Sequence, residues 1–514
     1  MTYPNGQTST YSYLPANQER RLQTIHHRYP TTATLSKFDY TYDAVGNILT
    51  WQQQADSAAP TIWRYGYDRA DQLIRAVEET TGGSPSVIHE YGYGYDRAGN
   101  RLYEQIDDAV TAWTYTNLNR LQAQAGGGVL QLRGSVNEPA TVTVQGVPAA
   151  VSSANQFQGG LPVVPGTNVF TVTATDGSGN VATAQYELDV TNAPKAFTYD
   201  ANGNLTSDGT RTFEWDARNQ LVAVTVGTHR SEFTYDGMLR AVRVRERVDG
   251  SLQSDRSVIW CEMHECEERD SATGVAVRRQ FGQGEIIAGQ SSLFVTDHLG
   301  SIAGSTNLSG VRTTQVSYDP WGRLEPTSGT PVTAGYTGHG WNADAGLWLT
   351  LHRAYDPELG RWLSEDPLRE QGETLNFYTY VRQNPVGLMD PFGLASSGMV
   401  ALQSFFHACD FNNYRNQFNR CPEREPKNNP NWRKDPWLLT VALMAAGGSG
   451  TGKYRNKDGS ECAYDRCGNL KADDGSYTYN YEPDSSTWRH IKLDVIPHFA
   501  CAGNYKRNLT KTYR

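Results

Sequence analysis

The sequence predicts a mostly β fold: a series of β-hairpins, interrupted by an inserted β-sandwich and followed by a small α+β C-terminal domain. Three observations support this. A tyrosine-aspartate motif recurs along the chain, one segment alternates valine with threonine, and 29 Tyr and 12 Trp outnumber 6 Met. The 514 residues leave room for three or four domains of about 150 residues each. We divide the chain into residues 1–125, 126–195, 196–293, 294–394 and 395–514.

The tyrosine-aspartate motif predicts one β-hairpin per repeat in residues 1–125 and 196–293. Its full form is Tyr-Asp-Ala-Val-Gly-Asn over residues 42–47, and consecutive copies begin 16 to 28 residues apart outside one long gap. Glycine accepts a positive φ, and Asp and Asn fold back onto their own backbone, so the motif is a turn signal. We interpret it as strand-and-turn architecture rather than as a sugar or ligand site. Further copies begin at Tyr67, Tyr95 and Tyr199, and weaker ones at Tyr115, Trp215 and Tyr235.

Residues 126–195 account for the long gap and predict an inserted β-sandwich. Val and Thr alternate in Ala140–Val144 and again over residues 168–174, and turn signals at 165–166 and 176–180 follow these runs. Short alternating strands over about 70 residues are typical of a small sandwich. The segment resembles the bacterial immunoglobulin-like modules, which implies a spacing role.

Residues 294–394 carry a dense, ordered run of further motifs. It includes Tyr-Asp-Pro-Glu-Leu-Gly-Arg-Trp at 355–362 and closes with Asp-Pro-Phe-Gly-Leu at 390–394. In order and spacing, these motifs resemble the RHS-repeat-associated core of Rhs and YD-repeat polymorphic toxins. The resemblance covers residues 30–394 outside the sandwich insert.

The resemblance implies a spiral of β-hairpins that closes into a hollow shell around a C-terminal toxin, with the core as a plug. Only about seven repeats are recognisable, so we expect a partial RHS shell from the C-terminal portion of a longer protein. At residues 352–355 the sequence His-Arg-Ala-Tyr departs from the double-aromatic version usual in the family. This departure is expected to weaken one strand contact.

Asp366 and Asp390 are the candidate catalytic residues of the core. An aspartic dyad cuts a peptide when two carboxyl groups share one proton, because one activates water while the other protonates the developing gem-diol. From the residues alone, two Asp-Pro turn starts are the simpler interpretation. The resemblance implies instead an autoproteolytic pair that needs no cofactor. The cut would fall between Leu394 and Ala395. Arg361 would be a supporting basic residue that holds the dyad ionised, or it could simply cross-link strands.

The stretch Cys261-Glu-Met-His264-Glu-Cys266 offers three possible zinc ligands within six residues. A closed zinc site needs four ligands, usually from two segments, and no second Cys/His cluster lies nearby in the body of the sequence. In one strand, Cys261 would also point to the face opposite His264 and Cys266. We therefore predict an ordinary strand and no metal site.

Residues 395–514 differ in charge and in cysteine content from the rest of the chain. They carry a net charge of +5 against −14 for the remainder, and they hold five of the seven cysteines. An acidic body with a basic tail indicates two parts with different partners. We expect the tail cysteines to be able to pair in an oxidising compartment, and the body to be indifferent to redox conditions. Helical spacing of apolar residues over 399–409 and a copy of the repeat motif at 464–470 predict the α+β fold.

The tail candidates for chemistry lie near its C-terminal end. His490, Lys492 and Asp494 alternate with apolar residues, so one strand face would be polar, and His498 follows. A histidine beside a lysine supplies the base, the acid and the oxyanion stabiliser that phosphodiester chemistry needs. Two histidines with an aspartate could alternatively bind a metal, and a solvated strand face explains the same pattern. A nuclease is favoured, and the tail's cofactor stays open.

The predicted function is that of an Rhs-type polymorphic toxin in interbacterial competition. The resemblance implies a cognate immunity protein bound to residues 395–514, an upstream or separate spike or secretion component, and a target macromolecule such as nucleic acid. The N-terminus lacks a signal peptide's basic start and apolar run, and no stretch approaches 18 apolar residues. We therefore expect synthesis in the cytoplasm, no membrane span and export by a contact-dependent apparatus such as type VI secretion. The alternative is a YD-repeat adhesion protein of the cell surface or wall with no toxic tail.

Overall fold

The computed structural model describes residues 1–191, 193–261, 264–325, 328–329, 333–372, 374–394, 396–398, 432–434, 452–456 and 461–464. The chain divides into two compact units. The first comprises Met1–Trp260 with Glu265–Ser396, and the second comprises Cys261–His264 with Ser397–Arg514. The described residues form strands and four short 3-10 helices, which confirms the mostly β prediction. None of the helices among them is long and apolar enough to cross a membrane.

The first repeat segment forms ten strands that lie side by side in chain order within one sheet. Each strand pairs antiparallel with the next, as expected for consecutive hairpins. The strands are β1 (Thr8–Tyr13), β2 (Leu22–Arg28), β3 (Thr34–Tyr42), β4 (Ile48–Ala55), β5 (Thr61–Tyr67), β6 (Leu73–Thr80), β7 (Val87–Tyr95), β8 (Arg101–Ile106), β9 (Ala109–Tyr115) and β10 (Leu121–Gly126).

The insert forms two small sheets that share one apolar cluster, so it is a β-sandwich, as its alternating pattern predicts. Leu130 and Phe157 from one sheet and Val142 and Phe170 from the other are buried in this cluster. Its likeness to immunoglobulin-like modules stays a prediction. The strands are β11 (Gly128–Ser135), β12 (Ala140–Val144), β13 (Val147–Pro148), β14 (Ala150–Val151), β15 (Gln156–Val163), β16 (Gly166–Asp176) and β17 (Val181–Val190).

After the insert, the chain rejoins the first sheet where it left it. Strand β18 (Lys195–Ala196) pairs antiparallel with β10, so that Gln124 lies opposite Lys195. The backbone N–H of Phe197 then donates to the carbonyl of Gln122 at 3.1 Å. The whole sandwich therefore occupies the connection between two neighbouring strands.

The second repeat segment and the start of the core form a sheet of fourteen strands, again in chain order. The strands are β19 (Thr198–Tyr199), β20 (Leu205–Ser207), β21 (Arg211–Trp215), β22 (Leu221–Val226), β23 (His229–Tyr235), β24 (Ala241–Val248), β25 (Ser251–Cys261), β26 (His264–Asp270), β27 (Ala276–Phe281), β28 (Gly284–Ile287), β29 (Gln290–Thr296), β30 (Ile302–Thr306), β31 (Arg312–Gln315) and β32 (Ser328–Gly329).

The Tyr-Asp motif works as the sequence predicts. In each turn the aspartate Oδ1 accepts backbone N–H groups of the turn itself, as Asp96 does from Ala98 and Asn100. Except at Tyr199, whose hydroxyl accepts the N–H of Leu121 at 3.0 Å, the tyrosine hydroxyl donates to a backbone carbonyl of the preceding repeat. These bonds run from Tyr42 to Leu22 (2.6 Å), from Tyr67 to Ile48 (2.9 Å), from Tyr95 to Leu73 (2.6 Å), from Tyr235 to Leu221 (2.8 Å) and from Tyr318 to Ile302 (3.0 Å).

The predicted single strand across Cys261 and Cys266 is wrong. Strand β25 ends at Cys261, β26 begins at His264, and the two are neighbours in the sheet, so Cys261 and Cys266 lie on different strands. Both cysteines are disulfide-bonded, so the body of the protein is not indifferent to redox conditions. A disulfide removes the thiolates that zinc would need.

The rest of the core packs around aromatic side chains. Tyr336, Trp348, Tyr355, Trp362 and Tyr380 are buried together, and the Tyr355 and Tyr380 ring centroids lie 4.2 Å apart. This cluster holds the short elements that carry the candidate site. They are the sheet β33 (Gly340–Asn342), β34 (Leu347–Leu349), β35 (Ala354–Asp356) and β36 (Arg361–Trp362), together with β37 (Leu388–Met389).

The second unit is described only in short strands. They are β38 (Ser397–Gly398), β39 (Trp432–Lys434), β40 (Gly452–Asn456) and β41 (Glu461–Tyr464), of which the last three form an antiparallel sheet. The helix predicted over residues 399–409 lies outside the described residues.

Candidate functional site

Arg353 brings the two predicted aspartates together. Its Nη2 atom lies 3.1 Å from Asp366 Oδ2 and 3.2 Å from Asp390 Oδ2. Asp366 lies in the turn region after β36, whereas Asp390 directly follows β37. Two carboxylates that are 24 positions apart in sequence therefore meet at one guanidinium nitrogen.

Arg353 is held by contacts on every polar side of its guanidinium. Its Nε donates to the carbonyl of Gly393 at 2.6 Å, its Nη1 donates to the carbonyl of Phe377 at 3.2 Å, and its plane lies over the Trp362 ring at 4.3 Å. Burial lowers the pKa of Arg353, and the two carboxylates oppose that shift. A guanidinium fixed in this way presents a rigid fork to both carboxylates.

Asp390 also shapes the turn that leads to the predicted cleavage bond. Its Oδ1 accepts the backbone N–H groups of Gly393 and Leu394, each at 2.9 Å. Its own carbonyl accepts a bond from His339 Nε2 at 3.0 Å. Gly393 has φ of +74°, and a Cβ there would clash with Thr350 Oγ1. The turn therefore needs both the carboxylate and the glycine.

Asp366 is the more accessible of the two carboxylates. Its side chain is 13% exposed, against 4% for Asp390. Its Oδ1 accepts the N–H of Leu368 at 2.8 Å, and its backbone N–H donates to the carbonyl of Phe377 at 3.0 Å. Water can approach this edge of the site more readily than the Asp390 edge.

The structure places Arg361 away from the two carboxylates. Its Nη2 donates to the carbonyl of Asn119 at 2.6 Å, and its guanidinium lies over the rings of Tyr115 and Tyr378. Arg361 therefore links the core to a repeat turn, which was the second role considered for it. The basic residue that touches the dyad is Arg353, which sequence reasoning missed.

Leu394 ends the turn that Asp390 holds, and its side chain is half-buried. The other predicted site residues lie outside the described residues. They are Ala395 on the far side of the predicted cleavage bond and, in the tail, His490, Lys492, Asp494 and His498.

The core that carries this site is bonded to the repeat turns. Asn376 Nδ2 donates to Oδ1 of Asn100, the asparagine that closes one Tyr-Asp turn, at 2.7 Å. Such bonds fix the core at several places along the repeats. They also run from Asn384 to Asn47 (3.0 Å), from Gln383 to the Gly99 carbonyl (2.6 Å) and from Tyr378 to the Gly203 carbonyl (2.8 Å).

Comparison with known proteins agrees with this architecture. A family model described as the Teneurin YD-shell matches residues 167–386. That range covers the end of the insert, the second repeat segment and most of the core. The match therefore rests on the same Tyr-Asp hairpins and core motifs.

Three curated relatives show different lengths of similarity. The tRNA3(Ser)-specific nuclease WapA of Bacillus spizizenii is 28% identical over 237 residues, which are 43% of this chain and 10% of the relative. Toxin subunit YenC1 of Yersinia entomophaga is 25% identical over 441 residues, 78% of this chain and 41% of the relative. Double-stranded DNA deaminase toxin A of Burkholderia cenocepacia is 38% identical over 111 residues, 20% of this chain and 8% of the relative.

The chain thus spans less than half the length of each of these relatives. The similarity to YenC1 covers 78% of this chain, so it extends well beyond a single motif. Tyr-Asp turns bonded from repeat to repeat, a core fastened to those turns, the family match and the named relatives all point the same way: the chain is similar to RHS/YD-repeat toxins over its repeats and core.

Proposed function

We propose that the core cuts its own chain after Leu394 and so releases residues 395–514 as a toxin. The observation that carries this proposal is the shared contact of Asp366 and Asp390 with Arg353, because an aspartic dyad requires two adjacent carboxylates. Asp390 also holds the N–H of Leu394, so the chain next to the bond is positioned by the dyad itself.

The chemistry follows from the different surroundings of the two carboxylates. Asp366, the more exposed, takes a proton from water, and the water oxygen adds to the carbonyl carbon of Leu394. The other carboxyl group donates a proton to the carbonyl oxygen, which gives a gem-diol. When the gem-diol collapses, the C–N bond to Ala395 breaks, and the amine nitrogen takes up the proton held by Asp366. One gem-diol hydroxyl gives its proton to Asp390 as the new carboxyl group forms, so Asp366 is again ionised and Asp390 is again protonated.

Arg353 acts in this scheme as a positioning residue. It ties the two carboxylates to the carbonyl of Gly393, so the dyad and the turn that carries the bond cannot drift apart. Holding reacting groups in place removes much of the entropic cost of the reaction.

The released tail acts on nucleic acid in this proposal. Two of the relatives are named for nucleic acid substrates, a tRNA in one and double-stranded DNA in the other. Residues 395–514 carry a net charge of +5, which favours a polyanionic substrate. Because one relative is a nuclease and the other a deaminase, similarity in the shell does not fix the tail's reaction. Phosphodiester cleavage by His490, Lys492, Asp494 and His498 is the reaction favoured by the tail's own residues.

The proposal includes partners on both sides of delivery. A cognate immunity protein binds residues 395–514 in the producing cell, and an upstream or separate spike component exports the protein by a contact-dependent apparatus. An acidic surface on the immunity protein would complement the basic tail. An adhesion protein of the cell surface would need neither self-cleavage nor an immunity protein, so the same experiment separates the two functions.

The test is to purify the full chain and to determine its fragments by denaturing electrophoresis and N-terminal sequencing. Wild-type protein should yield a fragment that begins at Ala395, whereas Asp366→Asn and Asp390→Asn should each leave one full-length chain. Asp216→Asn is a matched control, since Asp216 also accepts turn N–H groups but lies outside the core. Wild-type protein that stays intact under denaturing conditions would refute the proposal.

A further inference from the structure

A second cluster of side chains lies where the repeat sheet meets the core, away from the dyad. His229 begins β23, Glu246 lies on the neighbouring β24, and Asp344 lies in the connection between β33 and β34. We propose that these three residues bind a divalent transition-metal cation that clamps the core hairpin to the repeat sheet.

The three ligand atoms converge on one point. His229 Nε2 lies 2.8 Å from Glu246 Oε2 and 3.3 Å from Asp344 Oδ2, and all three atoms lie within 4.8 Å of one another. With metal–ligand bonds of about 2.1 Å, neighbouring ligand atoms lie roughly 3.0–3.5 Å apart. The arrangement therefore needs little adjustment to accept an ion.

The donor set selects a class of ion. One imidazole nitrogen with two carboxylate oxygens suits first-row divalent ions such as Zn²⁺ or Mn²⁺ better than the all-oxygen sites typical of Ca²⁺. A single imidazole N–H has one proton to give, while two carboxylate oxygens converge on that nitrogen. A cation in place of that proton would satisfy both carboxylates at once.

The surroundings hold the ligands as a metal site requires. Ser231 Oγ donates to Glu246 Oε2 at 2.6 Å, and Asn342 Nδ2 donates to Ser231 Oγ at 3.2 Å. Asn342 Oδ1 also accepts the N–H of Ala345 at 2.8 Å, which fixes the turn that carries Asp344. Outer bonds of this kind orient ligands, and their loss typically weakens metal binding about 10- to 100-fold.

The placement decides what the ion would do. Glu246 is largely covered with 12% side-chain exposure, whereas the Asp344 side chain is 52% exposed and belongs to the core. Water can therefore complete the coordination from the Asp344 side. Because the ligands come from two different sheets, the ion would join them and raise the melting temperature of the folded protein.

The test is isothermal titration calorimetry of the full chain with Zn²⁺ and with Mn²⁺ after dialysis against EDTA, together with thermal melts. Wild-type protein should bind one equivalent of at least one of the two ions. Asp344→Asn should bind that ion at least about 10-fold more weakly. That equivalent should raise the melting temperature of wild-type protein and should not raise that of Asp344→Asn.

Matched variants assign the equivalent to this cluster. His229→Gln should lose the same equivalent, whereas Asp108→Asn, at an exposed aspartate elsewhere in the chain, should titrate like wild-type protein. The tail cysteines are present in every variant, so binding to them cancels in the comparison. The proposal is overturned if neither ion binds wild-type protein, or if wild-type protein and both cluster variants give the same titration.

Discussion

Asn376 of the core donates its side-chain amide to Asn100 of a repeat turn at 2.7 Å, and both side chains are buried. Asn100 in turn donates to Asp96 Oδ2 at 2.8 Å and to Asn119 Oδ1 at 2.9 Å. The asparagine of the Tyr-Asp motif therefore closes its own turn, reaches the next turn and receives the core. These three hydrogen bonds need a side chain that can both donate and accept, as the amide of asparagine can.

Asn100→Ala should lower the free energy of unfolding by about 1–3 kcal/mol, because it leaves buried polar groups without their partner. The insert offers a matched control in Asn180, which makes the same bond to Asp176 within its own turn but is exposed. Asn180→Ala should cost clearly less. Equal losses in urea unfolding of the two variants would show that the contact with the core adds nothing.

Gly393→Ala should slow self-cleavage about 10²-fold, since misplacing a reacting group by about 1 Å can cost that much. A Cβ at Gly393 would push against Thr350, whose hydroxyl is bonded to the backbone of Arg353. Gly338→Ala is the control, because Gly338 has φ of +77° but open space around its Cβ. The fraction of newly synthesised chains that is cut at successive times, followed by pulse labelling, measures both effects.

His27 should make the fold sensitive to acid. Its two ring nitrogens contact Ser9 Oγ at 2.7 Å and the carbonyl of Thr296 at 2.9 Å, and burial lowers the pKa of His27 to about 4. The unfolded chain has a histidine pKa near 6.5 and binds the proton first. The stabilisation is therefore complete above about pH 6.5 and is lost as the pH falls towards 4, on the order of 3 kcal/mol in all.

Urea unfolding of wild-type protein and His27→Gln at several pH values checks this prediction. Burial raises the pKa values of Glu90 and Asp319 to about 6, so these groups favour the folded state below that pH and oppose the histidine effect. Their contribution is the same in both proteins and cancels in the difference. A difference between the two proteins that does not change with pH would exclude His27 as the source. His26→Gln, at a half-buried neighbour, should alter the pH dependence less.

His490→Ala and His498→Ala in the full chain should each reduce killing of cells that lack the immunity protein. Losing a general acid or base typically costs about 10²–10⁴ in rate, which is enough to restore growth. His407→Ala, also in the tail, is the matched control. Growth assays must be paired with thermal melts and protein levels. If both variants kill as well as the parent at equal abundance, these histidines do not carry the chemistry.

The repeat architecture could be predicted because its cause is local. Asp43 bonds to backbone groups within four residues of itself, so the turn is readable from a short stretch of sequence. The long sheets follow from repeating that unit, and the insert was visible as a gap with a different alternation. The end of one strand at Cys261 and the start of the next at His264 were missed because two short polar strands show the same weak periodicity as one long strand.

The site was only partly predictable because its cause is not local. Asp366 and Asp390 came from the motif order of the family, but their meeting depends on Arg353, which lies on a third segment. The departure from the double-aromatic pattern at residues 352–355 pointed to a weakened strand contact and not to the arginine within it. Arg361 was the candidate instead because it stands inside a motif. The order of motifs along the chain does not show which side chains meet in the folded protein.

The chain leaves the sheet after β10 and re-enters it beside β10, with Lys195 opposite Gln124. The connection between these two neighbouring strands can therefore hold an inserted module. A module as large as residues 126–195 can be accommodated there while the strands on both sides keep their pairing, because lengthening a loop costs little free energy. The sheet depends on the insert at one described side chain at least: Val110 of β9 joins the core of the sandwich and would be uncovered without it. The insert could therefore be lost or replaced by another module while the core that carries Asp366 and Asp390 stays unchanged.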